Sequence, residues 1–181
     1  MHALWLLIVL LFSGIFELLI GNYGINVPLL ALAGFYFAVL YPWPLLLPYF
    51  CLIGLWLDLC SPINLPAHTL TMLIVIPIGH NWRYFGDFSS KLGRCLPGAA
   101  VGALCGIMSM IRVIDAYGLS LSSIRLLRMP LEQMLLCALV FPVASMLWDG
   151  IAYHLGVRRL ANVNPYDSRW DEHAKDIIDD D

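Results

Sequence analysis

The sequence has few charged residues for its length. Charged residues make up 13% of the 181 residues, against about 25% in an ordinary soluble domain. Hydrophobic residues make up 60%, which is more apolar surface than a soluble core of this length can bury. The composition therefore excludes a soluble enzyme, a disordered chain and a secreted disulfide scaffold, and it predicts an integral membrane protein.

The sequence also lacks the alternating segments of about ten residues that are typical of membrane β-barrels. It contains long continuous apolar runs instead, and a spanning helix needs about 20 such residues. The runs predict an all-α, polytopic bundle of about six transmembrane helices in residues 1–160, followed by an acidic tail in residues 161–181. The predicted spans are residues 3–20, 26–41, 44–60, 65–80, 95–112 and 130–155.

The first span has no Lys or Arg before it and is too long for a signal-peptide core, so we interpret it as a retained helix. Residues 113–129 are amphiphilic, and they form either a short helix on the membrane surface or an ordinary loop. Proline marks a boundary of three other predicted helices. Pro42 and Pro44 separate the second span from the third, and Pro130 is the predicted start of the sixth.

Patterns that carry chemistry are missing from the sequence. The five cysteines form no C-x-x-C pair, and we interpret them as small buried hydrophobes. No H-E-x-x-H, G-x-S-x-G, phosphate-binding glycine loop or basic cluster occurs. The sequence therefore predicts no enzyme, no cofactor, no metal site and no nucleic-acid partner.

Three polar residues in apolar segments nevertheless need an explanation, because a charge inside a membrane is costly. Asp58, His68 and Asp149 could together form a metal or proton site, although no two histidines have the spacing of metal ligands on a helix. We expect Asp58 to have a structural role instead. Its predicted hydrogen-bond donors are Ser61, Thr69 and the free N–H groups at the start of the fourth helix.

Positive charge favours one orientation of the helices, because Lys and Arg are enriched in cytoplasmic loops. With the N-terminus in the cytoplasm, six spans place the C-terminus there as well. Before the acidic tail, five basic residues then lie inside and three outside, and Arg169 and Lys175 of the tail raise the inside count to seven. The inside set is Arg83, Lys91, Arg94, Arg158 and Arg159, and the outside set is Arg112, Arg125 and Arg128.

The fifth predicted span contains three glycines at a spacing of four residues. Gly98, Gly102 and Gly106 therefore lie on one face of the helix. Small residues let helix backbones approach closely in a membrane. This face either holds a helix of another protein or packs inside the same chain.

The third and fourth spans carry a pattern that resembles the MreD family of bacterial rod shape-determining membrane proteins. The pattern begins with Gly54-Leu55 and continues through Asp58 and Ser61 to His68-Thr69-Leu70. An aromatic pair, Tyr36-Phe37, precedes it in the second span. The chain departs from the family pattern at Pro66, where the family has glycine.

The resemblance implies a six-helix fold like that of the substrate-binding S components of vitamin transporters. It also implies a non-enzymatic scaffold in the bacterial inner membrane that supports peptidoglycan synthesis and rod shape. Its partners would be the lipid bilayer and an MreC-like bitopic protein. A RodA-type glycosyltransferase, a penicillin-binding transpeptidase and MreB are further partners in that elongation machinery.

An alternative function is a small-molecule binding component of a vitamin transporter, since the same fold serves both functions. Its pocket would be built from polar and aromatic residues of four predicted helices or their ends. The candidates are Trp56, Asp58, His68, Arg112 and Asp149.

The expected grooves for a partner helix lie near the short second and third spans, around residues 42–44.

Overall fold

The computed structural model describes residues 2–23, 26–60, 66–85, 91–117 and 123–160. These residues form six α-helices and no strand, which confirms the predicted all-α bundle. The helices are α1 (His2–Gly21), α2 (Leu29–Leu40), α3 (Trp43–Cys60), α4 (Ala67–Phe85), α5 (Lys91–Tyr117) and α6 (Ser123–Leu155).

Four of the described helices are long and apolar enough to cross a membrane, so the chain is a membrane protein. α2 has only 12 residues, or about 18 Å of helix, against a hydrocarbon core about 30 Å thick. α4 is long enough, but its last turns contain His80, Asn81 and Arg83. The four candidate spans are Ala3–Gly21, Trp43–Cys60, Gly93–Asp115 and Arg128–Leu155.

The last two helices are longer than the sequence predicts. α6 begins at Ser123, so the prediction that Pro130 starts this helix is wrong by seven residues. The amphiphilic segment 113–129 is divided between the end of α5 and the beginning of α6, and residues 118–122 lie outside the described ranges. Helix propagation beyond the apolar stretch accounts for the difference, because each added residue gains a backbone hydrogen bond.

α2 forms the centre of the bundle. Residues 30–40 are all buried, as expected for a helix that is hydrophobic on every side. Phe35 packs edge-on against Phe141 of α6, with ring centroids 5.6 Å apart, and against Trp82 of α4 at 6.3 Å. The short helix is therefore a shared core element, and its aromatic rings connect α4 to α6.

Successive helices run in opposite directions, which gives the bundle two ends. The upper end holds the last turns of α1, α3 and α5 with the first turns of α2, α4 and α6. Glu17 bonds to Leu30 there, and Asp58 bonds to His68. The lower end holds the first turns of α1, α3 and α5 with the last turns of α2, α4 and α6.

The glycine face of α5 packs inside the chain, against α6. A Cβ atom at Gly98, Gly102 or Gly106 would overlap the backbone of α6 at Cys137, Gln133 or Pro130, respectively. The possibility that this face holds a helix of another protein is therefore wrong, because α6 already occupies it. Helix backbones in this close contact also gain dispersion energy along the whole interface.

The chain turns back at the end of α6. Gly156 has φ +68°, the left-handed conformation that favours glycine after a helix. Its N–H donates to the carbonyl of Tyr153, and the N–H of Val157 donates to the carbonyl of Ala152. This capping motif directs residues 157–160 back onto the bundle, where Leu160 is buried.

Candidate functional site

The upper end of the bundle holds a cluster of polar side chains from five helices. Two carboxylates in this cluster each accept hydrogen bonds from the start of a helix. Glu17 of α1 accepts from the N–H of Leu30 in the first turn of α2, at 2.9 Å. Asp58 of α3 does the same for α4. A negative charge at these positions is stabilised by the positive end of the helix dipole.

Asp58 has four hydrogen-bond contacts in the structure. Oδ1 accepts from the backbone N–H of His68 at 2.9 Å, and Oδ2 accepts from the N–H and the hydroxyl of Thr69 at 2.9 and 2.7 Å. Oδ1 also lies 2.9 Å from Nδ1 of His68. The predicted partners of Asp58 are thus confirmed at Thr69 and at the start of α4, whereas Ser61 lies outside the described residues.

Gly54 brings α3 close enough to α4 for these bonds to form. A Cβ atom at Gly54 would lie 2.8 Å from Cα of Thr69 and 3.1 Å from its nitrogen. Real Cβ atoms do not approach backbone atoms so closely, so any other residue would push the two helices apart. Gly54, Asp58, His68 and Thr69 therefore act together to join α3 and α4.

His68 connects the two carboxylates to an arginine. Its Nε2 lies 3.8 Å from Oε1 of Glu17, and its Nδ1 lies 2.8 Å from Nη2 of Arg112 on α5. Arg112 Nη2 also lies 3.6 Å from Oδ1 of Asp58. The four side chains thus form one continuous network across α1, α3, α4 and α5.

A small cavity of about 50 Å³ adjoins this network. Glu17, His68, Arg112 and Gln133 all line it. Two of the buried polar atoms in the described residues, Arg112 Nε and Gln133 Oε1, have no hydrogen-bond partner. This volume is large enough for a few water molecules but far below the roughly 300–1,000 Å³ of a typical ligand pocket.

A second polar site lies at the lower end, around Asp149 of α6. Oδ1 of Asp149 accepts a hydrogen bond from the hydroxyl of Tyr36 at 2.8 Å and one from the N–H of Leu160 at 2.7 Å. Both donors are buried. The carboxylate of Asp149 therefore holds both α2 and the segment after α6 against α6.

Basic residues also gather at the lower end. The pKa of Arg158 lies below its ordinary value, mainly because the side chain is partly buried. The nearby Tyr41 raises this pKa in part, and the positive charge of Arg83 lowers it. The guanidinium of Arg159 stacks on the ring of Tyr153, 4.8 Å from its centroid. These cations form part of the protein's own packing at this end.

The structure brings together only some of the predicted site residues. Asp58 and His68 are in contact, but Asp149 lies at the other end of the bundle, so the three do not form one site. The described residues contain no group of His, Cys, Asp and Glu that fits a metal ion. Trp56 faces a groove on the outer surface and does not line the polar cavity.

Sequence reasoning missed two members of the upper cluster, Glu17 and Gln133. Glu17 was not among the candidate residues, yet it accepts a hydrogen bond from the N–H of Leu30 inside the bundle. Arg112 was counted only as an outside charge and as a possible ligand residue, and Gln133 was not singled out. The signal for Glu17 was topological, since Glu17, Asp58 and Arg112 all fall late in helices that end on the same side.

Among the described residues, an apolar groove lies on each side of α1. The α1/α6 groove has a volume of about 520 Å³, and the α1/α3 groove has a volume of about 700 Å³. Neither groove is lined by residues 42–44, where a depression was expected. The α1/α6 groove is lined by Trp5, Phe12, Phe16, Leu147, Trp148 and Ile151. The α1/α3 groove is lined by Leu7, Leu11, Leu52, Leu55, Trp56 and Leu59.

Comparison of the chain with family models, curated proteins and solved structures gives no match. The features of the molecule that bear on its function are therefore the polar cluster, the two grooves beside α1 and the short pattern in residues 54–70.

Proposed function

We propose that this protein is a non-enzymatic membrane scaffold that resembles MreD and holds the transmembrane helix of an MreC-like partner. The observation that supports the proposal most directly is the pair of apolar grooves beside α1. Helices in a membrane associate through close packing, because lipid tails are as apolar as leucine. A groove with helix walls gives a foreign helix more contact than a flat surface would.

The pattern that resembles the family has a structural explanation in this chain. Gly54 allows α3 and α4 to touch, and Asp58 caps the first turn of α4 through His68 and Thr69. The α3 helix so positioned forms one wall of the α1/α3 groove. The residues behind the resemblance thus support one of the two proposed binding surfaces.

The proposed location is the bacterial inner membrane, with both termini in the cytoplasm. The lower end holds Arg83, Arg94, Arg158 and Arg159, and this charge favours a cytoplasmic position for that end. In this orientation the protein would connect MreC to cytoplasmic MreB filaments. It would also lie beside a RodA-type glycosyltransferase and a penicillin-binding transpeptidase.

The orientation is tested by labelling single cysteines in intact cells with a membrane-impermeant maleimide. The exposed Cys60 belongs to the upper end, so a variant that keeps only this cysteine should be labelled from outside. The variants Phe88→Cys and Trp170→Cys, in a background without other cysteines, should be labelled only after the membrane is opened. Labelling of either one in intact cells would contradict the proposed topology.

The alternative function, binding of a vitamin for transport, finds less support in this structure. The polar cavity of about 50 Å³ is too small for a ligand of that size. Asp149, one of the candidate pocket residues, bonds to Tyr36 and Leu160 at the other end. Stoichiometric retention of a small organic molecule through purification would favour this alternative over the scaffold.

Partner binding is tested with two matched leucines of α6. Leu147 is 64% exposed and lines the α1/α6 groove, whereas Leu139 is 72% exposed and lies outside both groove linings. Each is changed to tryptophan, and the protein is purified in mild detergent with any associated proteins. The partner is identified by mass spectrometry as a bitopic protein with a periplasmic coiled coil.

We expect Leu147→Trp to lower partner recovery at least about tenfold, which corresponds to about 1.4 kcal/mol of binding free energy. Leu139→Trp should leave recovery unchanged, and both variants should remain folded. The corresponding change in the other groove, Leu55→Trp, identifies which groove the partner uses. Equal recovery from all of the variants would contradict partner binding in these grooves.

A further inference from the structure

Two neighbours of the His68 ring require opposite protonation states of the same nitrogen, Nδ1. Nδ1 lies 2.8 Å from Nη2 of Arg112, which is always a donor. The same Nδ1 lies 2.9 Å from Oδ1 of Asp58, which is an acceptor. A ring nitrogen carries either one hydrogen or one lone pair in the ring plane, so it bonds to only one of these neighbours at a time.

Each protonation state of Nδ1 therefore selects a different partner. Without a proton, Nδ1 accepts from Arg112, and its lone pair faces the carboxylate of Asp58. With a proton, Nδ1 donates to Asp58, and the bond from Arg112 is lost. In the protonated ring Nε2 also carries a hydrogen, which is directed to the side where Oε1 of Glu17 lies 3.8 Å away.

Burial and the positive charge of Arg112 lower the pKa of His68, and its contact with Asp58 raises it in part. The titratable and charged groups of the network are Glu17 from α1, Asp58 from α3, and Cys105 and Arg112 from α5. The described parts of α2 and α6 add no charge to the cavity lining.

The cavity offers Arg112 a second position. Gln133 of α6 lines the same cavity, is buried, and has an Oε1 atom without a hydrogen-bond partner. Arg112 Nε is likewise without a partner in the observed position. Movement of the guanidinium toward Gln133 would satisfy an acceptor that is otherwise buried and unpaired, which is a costly condition.

We propose that this pocket is a proton-binding site in which a proton from water binds Nδ1 of His68 and moves Arg112 from His68 to Gln133. The bond from Arg112 Nη2 to Nδ1 breaks, and the new Nδ1–H donates to Asp58. Arg112 then donates to Oε1 of Gln133. Since Arg112 is on α5 and Gln133 is on α6, protonation changes the contacts between these helices at the upper end.

The proposal is tested by ¹⁵N NMR of histidine-labelled full-length protein in detergent micelles, from about pH 8 to about pH 5. The variant His68→Gln assigns the signal. At the higher pH we expect a neutral ring with the hydrogen on Nε2 and a bare Nδ1. At the lower pH both nitrogens should carry hydrogen. A ring that stays neutral throughout, or that carries its hydrogen on Nδ1 at high pH, would overturn the proposal.

The variant Gln133→Met tests the second position of Arg112, because it keeps the side-chain length and removes the acceptor. Loss of one hydrogen bond from the protonated state should lower the midpoint of the His68 titration by roughly 0.5–1 pH unit. Ser145→Ala, a buried change on α6 outside the cavity, should leave the midpoint unchanged. An unchanged midpoint in Gln133→Met would overturn the movement of Arg112. Neither measurement needs a partner protein, so the result is independent of the proposed scaffold function.

Discussion

α1 and α5 are both long apolar helices, yet they pack in opposite ways. α5 presents Gly98, Gly102 and Gly106 to α6, and the two backbones touch along this line. α1 presents large side chains and is flanked by a groove on each side. Phe12 and Phe16 are among its exposed residues, and both line the α1/α6 groove.

The contrast shows where the bundle is closed and where it can accept another helix. Small residues allow close contact in a membrane, and large residues hold neighbouring helices apart. The glycine face is therefore internal, and the surfaces beside α1 remain accessible from the membrane. A carboxylate holds one wall of each groove in place. Asp149 is next to Trp148, which lines the α1/α6 groove. Asp58 lies between Trp56 and Leu59, which line the α1/α3 groove.

The largest effect is expected from Gly102→Leu, which would force apart the closely packed helices α5 and α6. Its Cβ alone would overlap the carbonyl oxygen of Gln133 and lie 2.8 Å from Cβ of Cys137. Because a backbone cannot move aside as a side chain can, we expect destabilisation of more than about 3 kcal/mol. The measurement is the fraction of monodisperse protein after heating in detergent.

The control is Gly150→Leu on α6, where a Cβ atom would meet nothing within 4 Å. It adds the same side chain to a helix at an exposed position, and we expect an effect within about 0.5 kcal/mol. Equal loss of folded protein in both variants would mean that the added leucine, and not the α5–α6 contact, is harmful.

The next largest effect is expected from Asp149→Leu, which weakens the wall of the α1/α6 groove. The change leaves the Tyr36 hydroxyl and the Leu160 N–H buried without their acceptor. Each unsatisfied group costs about 1–3 kcal/mol, so we expect a loss of at least about 2 kcal/mol in total. Asp149→Asn keeps an oxygen acceptor, and thermal unfolding should show a smaller loss. Equal losses would indicate that the charge matters more than the two bonds.

A smaller effect is expected from Asp58→Leu, which weakens the wall of the α1/α3 groove. Asp58 accepts from Thr69 and from the start of α4, but its surroundings are only partly buried, so water replaces some of the lost bonds. We expect about 1–3 kcal/mol for Leu and less for Asp58→Asn. The yield of folded protein in membranes measures both. A normal yield of folded Leu variant with lost activity in cells would instead indicate a functional carboxylate.

Much of the fold could be predicted from the sequence, because apolar runs report directly on burial in a membrane. The helix-capping partners of Asp58 were also predictable, since they are neighbours along the chain. The ends of α5 and α6 were not, because helices continue through polar residues wherever backbone hydrogen bonds can form. For the same reason Pro130 lies inside α6 and does not begin it.

The polar cluster could be predicted only in part. Asp58 and His68 are ten residues apart, whereas Arg112 and Gln133 join them through contacts between distant helices. Such contacts depend on how the helices are arranged, which hydrophobic periodicity does not determine. The role of the glycine face needed the same information, because an internal and an external helix contact have the same spacing in the sequence.

The smallest predicted effect is the sharpest test of the difference between the closely packed α5–α6 contact and an open helix surface. Alanine replaces glycine at two helical positions, Gly102 and Gly150. Within an open helix, alanine is favoured over glycine by about 0.5–1 kcal/mol, because glycine loses more backbone freedom on folding. Gly150→Ala should therefore raise the midpoint of thermal unfolding slightly.

Gly102→Ala makes the same gain in backbone entropy, but its methyl group would overlap the carbonyl oxygen of Gln133. The steric cost exceeds the gain, so its unfolding midpoint should fall. Paired thermal unfolding of the two variants in the same detergent measures both signs at once. If both midpoints rose, α5 and α6 would not be in backbone contact at Gly102, and the glycine face would again be free to hold a foreign helix.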